Sequence, residues 1–378
     1  ALVGLDAGGA AAPSLQAPWR DSKMWSPDRP NLYVARLTLA VGGRALDSID
    51  VRFGFREFWI EGKRFMLNGI PITLRGESNY RFARNPESMD PEYGVEYNRG
   101  VMGIIKREMA ANAFRVHASI APGSVALAAD EVGMMLINQS SIWSAMGNAY
   151  RLGGEEFMNN TRLEFEEWVR RDRNSPSVVI WDVENEMIRG SRVNMPWVMR
   201  LDGFILQHDD TRPIEHSGAG WYDAEQDIIH VHMHEHYSDV LDMWRRNGTR
   251  PIVFGEFWVG GRGETRLPTS YEFKSKDDWH AEEARVYEEY MLEMRYYGAG
   301  GVMPFRTTTG LFVNPPGGRS LFEFEPGKEP AYAIRAEADA EAIRHGLGPM
   351  TAFFWPRGAS AQAGGEFVRE LVVCNDSE

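Results

Sequence analysis

At roughly 100–200 residues per domain, the 378-residue chain has room for two or three domains, or for one large barrel with flanking pieces. With 43% hydrophobic and 25% charged residues it can bury a sizeable core, which excludes wholesale disorder. A net charge of −13 repels phosphate backbones and excludes nucleic acid as a partner; no apolar run is long enough to span a bilayer, and the one cysteine, Cys374, can form no internal disulfide.

The opening Ala1-Leu2-Val3-Gly4 has neither the charged nor the apolar region of a secretory signal, so the compartment is left open. The 12 Trp, 13 Tyr and 19 Phe serve either core packing or a sugar-binding cleft, where the apolar C–H faces of sugar rings stack on aromatic rings.

In chain order, residues 1–20 read as loop. Asn31 to Leu39 and Ser48 to Phe53 alternate apolar and polar side chains around a Gly42-Gly43 turn, a hairpin of half-buried strands. Two or three such strands do not make a stable sandwich, so residues 1–61 are expected to be the end of a β-sandwich domain. From about residue 62 short apolar strands alternate with amphipathic helices. Candidate strands are Ile72-Thr73-Leu74, Ala113 to Val116, Met134 to Ile137, Ser177 to Val183, Pro213-Ile214, Ile228 to His232, Pro251 to Phe254 and Gly300 to Met303. Eight strands alternating with helices over residues 62–346 predict an α/β fold, a (β/α)₈ TIM barrel flanked by partial immunoglobulin-like sandwich segments. Residues 347–378 are expected to be a linker and the start of a further sandwich. Missing sandwich domains, or an oligomer, would cover these edges.

Active sites of such barrels lie at the C-terminal ends of the strands. The fourth strand runs through Trp181-Asp182-Val183-Glu184-Asn185-Glu186 and the seventh through Phe254-Gly255-Glu256-Phe257-Trp258. Glu186 and Glu256 therefore face each other across one barrel mouth. Two carboxyls about 5–5.5 Å apart are what a retaining glycosidase uses, one as acid/base and the other as nucleophile.

Val51-Arg52-Phe53-Gly54-Phe55-Arg56, Leu67-Asn68-Gly69, Leu74-Arg75-Gly76, Asn112-Ala113-Phe114-Arg115-Val116-His117, Asp130-Glu131-Val132-Gly133 and Arg171 to Val178 resemble, in order, glycoside hydrolase family 2, the β-galactosidase and β-glucuronidase group. The resemblance runs over about residues 22–305. It implies hydrolysis of terminal β-linked sugars by double displacement, with Glu186 as acid/base, Glu256 as nucleophile and Asn185 on the sugar 2-hydroxyl. It also implies that Arg115 positions the nucleophile and that His117 lines the site. Arg75, His232, His234, Tyr237 and Trp258 complete the expected substrate-binding set. The chain departs from the family on two strands. His234 stands near the place of a tyrosine on the sixth, and the eighth reads Gly300-Gly301-Val302-Met303-Pro304-Phe305, without the usual tryptophan.

The expected partner is a carbohydrate substrate, with no cofactor required. Two other classes compete. His230, His232, His234 and His236 alternate along the sixth strand and share a face, as the ligands of a metal-dependent, amidohydrolase-like enzyme would. A non-catalytic carbohydrate-binding relative is the other, against which the intact pair Glu186 and Glu256 argues.

Overall fold

The computed structural model describes residues 13–79, 94–143, 154–188, 194–220, 226–232, 237–257, 276–305, 322–324, 334–336, 340–356 and 363–376. Strands β1 (Tyr33–Val41) and β2 (Arg44–Phe53) form the antiparallel hairpin that alternation predicts, with Tyr33 opposite Phe53 and a register shift at Leu39/Ala40. Trp19 closes on its base, its ring centroid 4.9 Å from that of Tyr33.

A three-stranded antiparallel meander follows: β3 (Phe58–Glu61), β4 (Arg64–Leu67) and β5 (Ile70–Ile72). It corrects the expected first barrel strand, Ile72-Thr73-Leu74. Asn68 and Gly69, with φ of 49° and 90°, reverse the chain so that Ile72 pairs with Phe65. The first barrel strand is β6 (Leu74–Asn79), which begins only at Leu74. A local apolar run cannot distinguish these two pairings.

The remaining barrel strands are β7 (Ala113–Val116), β8 (Met135–Gln139), β9 (Val178–Asn185), β10 (Ile214–Ser217), β11 (Ile229–His232), β12 (Ile252–Phe257) and β13 (Gly301–Pro304). They form one eight-stranded sheet in the order β10-β9-β8-β7-β6-β13-β12-β11, parallel throughout. At the β10/β11 seam the Gly220 N–H donates to the His230 carbonyl at 2.9 Å. The helices are α1 (Val95–Met109), α2 (Gly123–Val132), α3 (Glu155–Asp172), α4 (Met195–Leu206), α5 (Tyr237–Asn247), α6 (Lys276–Tyr297) and α7 (Ala340–Leu347). Two short hairpins complete the described chain, β14 (Phe322–Phe324) with β15 (Ile334–Ala336), and β16 (Met350–Trp355) with β17 (Glu370–Asn375).

Strand periodicity sorts the core into two layers. Phe114 and Val116 of β7, and Ile229 and Val231 of β11, pack outward under the helices. Ala113 faces the interior with Leu74, Met135, Ile137, Val179, Val253 and Met303. The same interior cluster contains Trp25, Phe58, Phe65, Leu67 and Ile72, so the segment before the barrel and the meander seal its N-terminal end. Trp25 has no exposed surface, and its indole N–H donates to the Asp130 carbonyl at 2.8 Å. The N-terminal segment is thus pinned to α2 by burial and a hydrogen bond together.

Trp25→Ala should cost about 3–5 kcal/mol, because it opens a cavity and strands the Asp130 carbonyl. Denaturant unfolding followed by circular dichroism measures this; a loss below about 1 kcal/mol would show that the segment does not brace the barrel.

Candidate active site

The odd residues of β7 alternate inward, so Arg115 enters the interior one step above Ala113. It has no exposed surface. Its Nη1 donates to Ser78 Oγ at 2.8 Å and to Glu256 Oε1 at 3.0 Å. Its Nη2 donates to Asn185 Oδ1 at 2.7 Å. Its Nε donates to Asp182 Oδ2 and Ser217 Oγ, each at 3.1 Å. One side chain thus ties together β6, β9, β10 and β12.

Two irregularities aim the candidate side chains. Between β11 and β12, Val231 pairs with Phe254 but His232 pairs with Glu256, so β12 carries one extra residue, Gly255. Without that bulge, alternation would turn Glu256 outward, on the face of Phe254. Gly255 is required there, since a Cβ would stand 1.6 Å from His230 Nε2. Between β9 and β10 the register also slips, from Asp182 opposite Glu215 to Asn185 opposite Ser217. Glu186 then leaves the strand with φ of 58°, a left-handed conformation that a glutamate rarely adopts. Its N–H is held by the Ser217 carbonyl at 2.8 Å.

These turns bring Glu186 and Glu256 together. One carboxylate oxygen of each lies with a His232 nitrogen in a group whose atoms are all within 4.8 Å of one another. His232 Nδ1 is 2.9 Å from Glu186 Oε1, and its Nε2 is 3.6 Å from Glu256 Oε1. His117 Nδ1 lies 3.1 Å from Glu256 Oε1, and the ring meets Phe305 edge-on at 5.0 Å. The Glu186 side chain is 25% exposed and that of Glu256 only 7%. Glu186 therefore faces the solvent side of the mouth, and Glu256 sits against the cationic floor.

Glu186, Glu256, Asn185, Arg115, His117 and His232 therefore converge. Arg75 does not, which corrects its expected place among substrate-binding residues. It is the second residue of β6, not its end, so its side chain lies at the opposite end of the barrel. There it donates to the carbonyls of Ala110 and Leu347 and pairs with Asp376 at 3.5 Å. The side chain of Tyr237, the first residue of α5, and all of His234, His236 and Trp258 lie outside the described residues.

Beneath the pair lies a buried polar layer whose members, apart from His230, are not singled out by the sequence. Asp182 accepts from Arg115, Gln139 and Ser217. Burial pushes its carboxyl up to about 6, against the pull of Arg115. Burial likewise pushes Glu215 up to about 8, with Arg115 and His216 opposing, and it pushes the neighbouring His230 down to about 3. His230 Nδ1 lies 3.0 Å from Glu215 Oε1, so near neutrality this is a contact between two uncharged groups. On the outer side, Glu184 and Asp202 flank His216 and, despite its burial, push it up to about 10. The available signal was Asp182 and Glu184 interrupting an otherwise apolar strand. Trp143, 40% exposed and bridged to Asn185, is a further aromatic at the mouth. A metal reading would draw on Asp182, Glu215 and His230, or on Glu186, His232 and Glu256, whose donor atoms cluster among the described residues.

Glu215 gives the layer a pH signature. Its folded value of about 8 lies above the usual carboxylate range, so the native state keeps a proton that the unfolded chain releases. Its contribution to stability is complete at low pH and is lost as pH rises through about 8. Glu215→Gln preserves the neutral shape without the titration. The variant should gain thermal stability relative to the parent as pH rises from about 5 to about 8. A pH-independent difference in melting temperature would contradict this.

The family models agree with this architecture. Residues 51–263 match the model described as glycosyl hydrolases family 2, TIM barrel domain, and residues 7–56 match glycosyl hydrolases family 2. A beta-galactosidase of Photobacterium profundum is 27% identical over 214 residues, covering 56% of this chain and 20% of that protein. The chain thus spans about a fifth of the length of such curated relatives. Among solved structures, a GH2 beta-galacturonidase from Eisenbergiella tayi bound to galacturonate superposes with a TM-score of 0.68 at 19% identity, covering 88% of this chain and 61% of that one. A b-glucuronidase from Ruminococcus gnavus, in complex with a C6-substituted uronic isofagomine, gives 0.66 at 18% identity, covering 86% and 58%. These two share the fold. With the family model covering more than half of its length, the chain belongs to glycosyl hydrolase family 2.

Proposed function

We propose that the chain carries the catalytic centre of a retaining β-glycosidase acting on terminal β-linked sugars, of the β-galactosidase and β-glucuronidase kind. The observation that carries this reading is the carboxylate pair, with oxygens of Glu186 and Glu256 within 4.8 Å at one barrel mouth. Such proximity suits attack by one carboxylate while the other protonates, the arrangement of retaining enzymes, whose two carboxyls stand about 5–5.5 Å apart.

Glu256 is the nucleophile. Arg115 and His117 orient its Oε1, and its low exposure removes the water that would compete for its lone pairs. Glu186 is the acid/base. Its more exposed position suits a group that meets first the leaving oxygen and then the incoming water. In the first step Glu256 bonds to the anomeric carbon, the bond to the leaving oxygen breaks, and Glu186 gives that oxygen its proton. In the second, Glu186 takes a proton from water, the water oxygen attacks, and Glu256 departs. Asn185, fixed through Oδ1 on Arg115, is placed to meet the sugar 2-hydroxyl. Trp143 offers an apolar face for the ring. The chemistry balances without a cofactor. Among the described residues, no helix is long and apolar enough to cross a membrane.

A panel of aryl β-glycosides followed by NMR identifies the sugar and should show the β-anomer as first product. Glu256→Ala should lose turnover on every substrate. Glu186→Ala should lose about 10²–10⁴-fold on poor leaving groups and far less on activated ones. Azide should rescue the Glu186 variant with a β-glycosyl azide and the Glu256 variant with an α-azide. The opposite assignment of azide anomers would reverse the two roles, and an α-anomer as first product would overturn retention.

A further inference from the structure

The position of His232 between the two carboxyls has a consequence of its own. Interior-facing residues of β11 are His230 and His232, and His232 reaches the level of the mouth. Its ring presents Nδ1 to Glu186 Oε1 at 2.9 Å and Nε2 to Glu256 Oε1 at 3.6 Å. The first is a hydrogen bond; the second is an ion-pair distance too long for one. Gly218 leaves room for this pose, since a Cβ there would stand 2.9 Å from His232 Nδ1 and 3.0 Å from Glu186 Cγ.

A neutral imidazole carries one N–H and one lone pair. With its hydrogen on Nε2, His232 turns a positive edge toward Glu256 and a lone pair toward Glu186. The 2.9 Å contact is then a hydrogen bond only if Glu186 supplies the proton. With the hydrogen on Nδ1 instead, the ring donates to an ionised Glu186 and turns its lone pair toward the ionised Glu256; that form holds one proton fewer and leaves neither carboxyl able to protonate a leaving group. The Nε2–H form therefore matches one arrangement, with Glu186 protonated and Glu256 ionised. That is the arrangement double displacement needs at its start. Moving the one proton across the 2.9 Å contact gives an imidazolium between two carboxylates, with the same total charge.

We infer that His232 is a positioning residue that assigns the catalytic proton to Glu186 across their 2.9 Å contact. The inference rests on the double-displacement reading of Glu186 and Glu256. The charged and titratable groups around His232 among the described residues are Glu186 after β9, Glu256 on β12, Arg115 of β7 and His117 directly after it, both acting through Glu256, and His230 on its own strand. The His230 and His232 ring centroids are 5.2 Å apart. Burial holds His230 neutral at working pH, so it does not compete for the proton.

The test is the high-pH limb of the kcat/KM profile, where the acid's proton is lost. In His232→Gln the amide donates to the ionised form of Glu186 and stabilises it. The limb should move to lower pH by about one unit, with a loss approaching tenfold above the parent's limb on poor leaving groups and little on activated aryl glycosides. A purely structural role would lower both substrates alike and leave the limb in place, and that result would overturn the inference. A second measurement needs no turnover. In ¹⁵N-histidine-labelled protein, the His232 ring signals, assigned by their loss in His232→Gln, should titrate at least about one pH unit lower in Glu186→Gln than in the parent. Identical titration in both would equally overturn it. If the parent hydrolyses no aryl glycoside, the double-displacement reading falls, while the ¹⁵N titration still judges the coupling.

Discussion

A guanidinium taken wholly out of water must find an acceptor for each N–H donor, because a buried charge left unpaired costs several kcal/mol. Arg115 finds an acceptor at each of its three nitrogens by drawing on Ser78, Asp182, Asn185, Ser217 and Glu256. The acceptors come from four strands that are distant in sequence, so the barrel closes around the cation and the cation fixes the floor of the mouth. The placement of Glu256 follows: its carboxylate completes the set of acceptors around Arg115, which sets its position against the buried cation. The cost of burying so many polar groups is limited by neutralisation. Glu215, raised to about 8, and His230, lowered to about 3, meet as uncharged partners directly below.

The same mouth relies on departures from regular strand geometry. The extra residue at Gly255 and the register slip before Asn185 turn inward side chains that strict alternation would send out. Glu186 holds a left-handed backbone, a conformation that persists only where neighbours over-determine it. Here they are the Ser217 carbonyl, the His232 ring and the close approach of Gly218. Local strain and a rigid polar floor thus act together to hold two acids at a spacing that neither strand would give alone.

Much of this was legible in the sequence, and the parts that were not share a cause. The alternation of apolar strands and amphipathic helices is local, and it gave the barrel. Acids at the ends of the fourth and seventh strands are also local, and they singled out Glu186 and Glu256, which the structure brings to one mouth. Arg75 was misplaced because a short apolar run has two pairing choices, and the Asn68-Gly69 reversal committed Ile72 to the meander. That shift of phase moves Arg75 from a strand end to a strand start. The Glu215–His230 pair joins residues across the barrel seam, and the bulge at Gly255 answers to the His230 ring. Both are set by tertiary contacts that no window of sequence contains. The histidines of the sixth strand offered two readings, a set of metal ligands or, for His232 and His234, a place in the substrate-binding set. In the structure His230 contacts Glu215 below the mouth, while His232 stands between the two acids.

The central claim is that the carboxylate held by Arg115 is the one that bonds to sugar. A 2-deoxy-2-fluoro glycoside of the sugar the chain turns over, with an activated leaving group, slows both steps and traps the covalent species. Mass spectrometry of a proteolytic digest should then find the fluoro-glycosyl group on the peptide containing Glu256, and on Glu256 itself by fragmentation. A label on Glu186, or inactivation with no covalent adduct at all, would contradict the account.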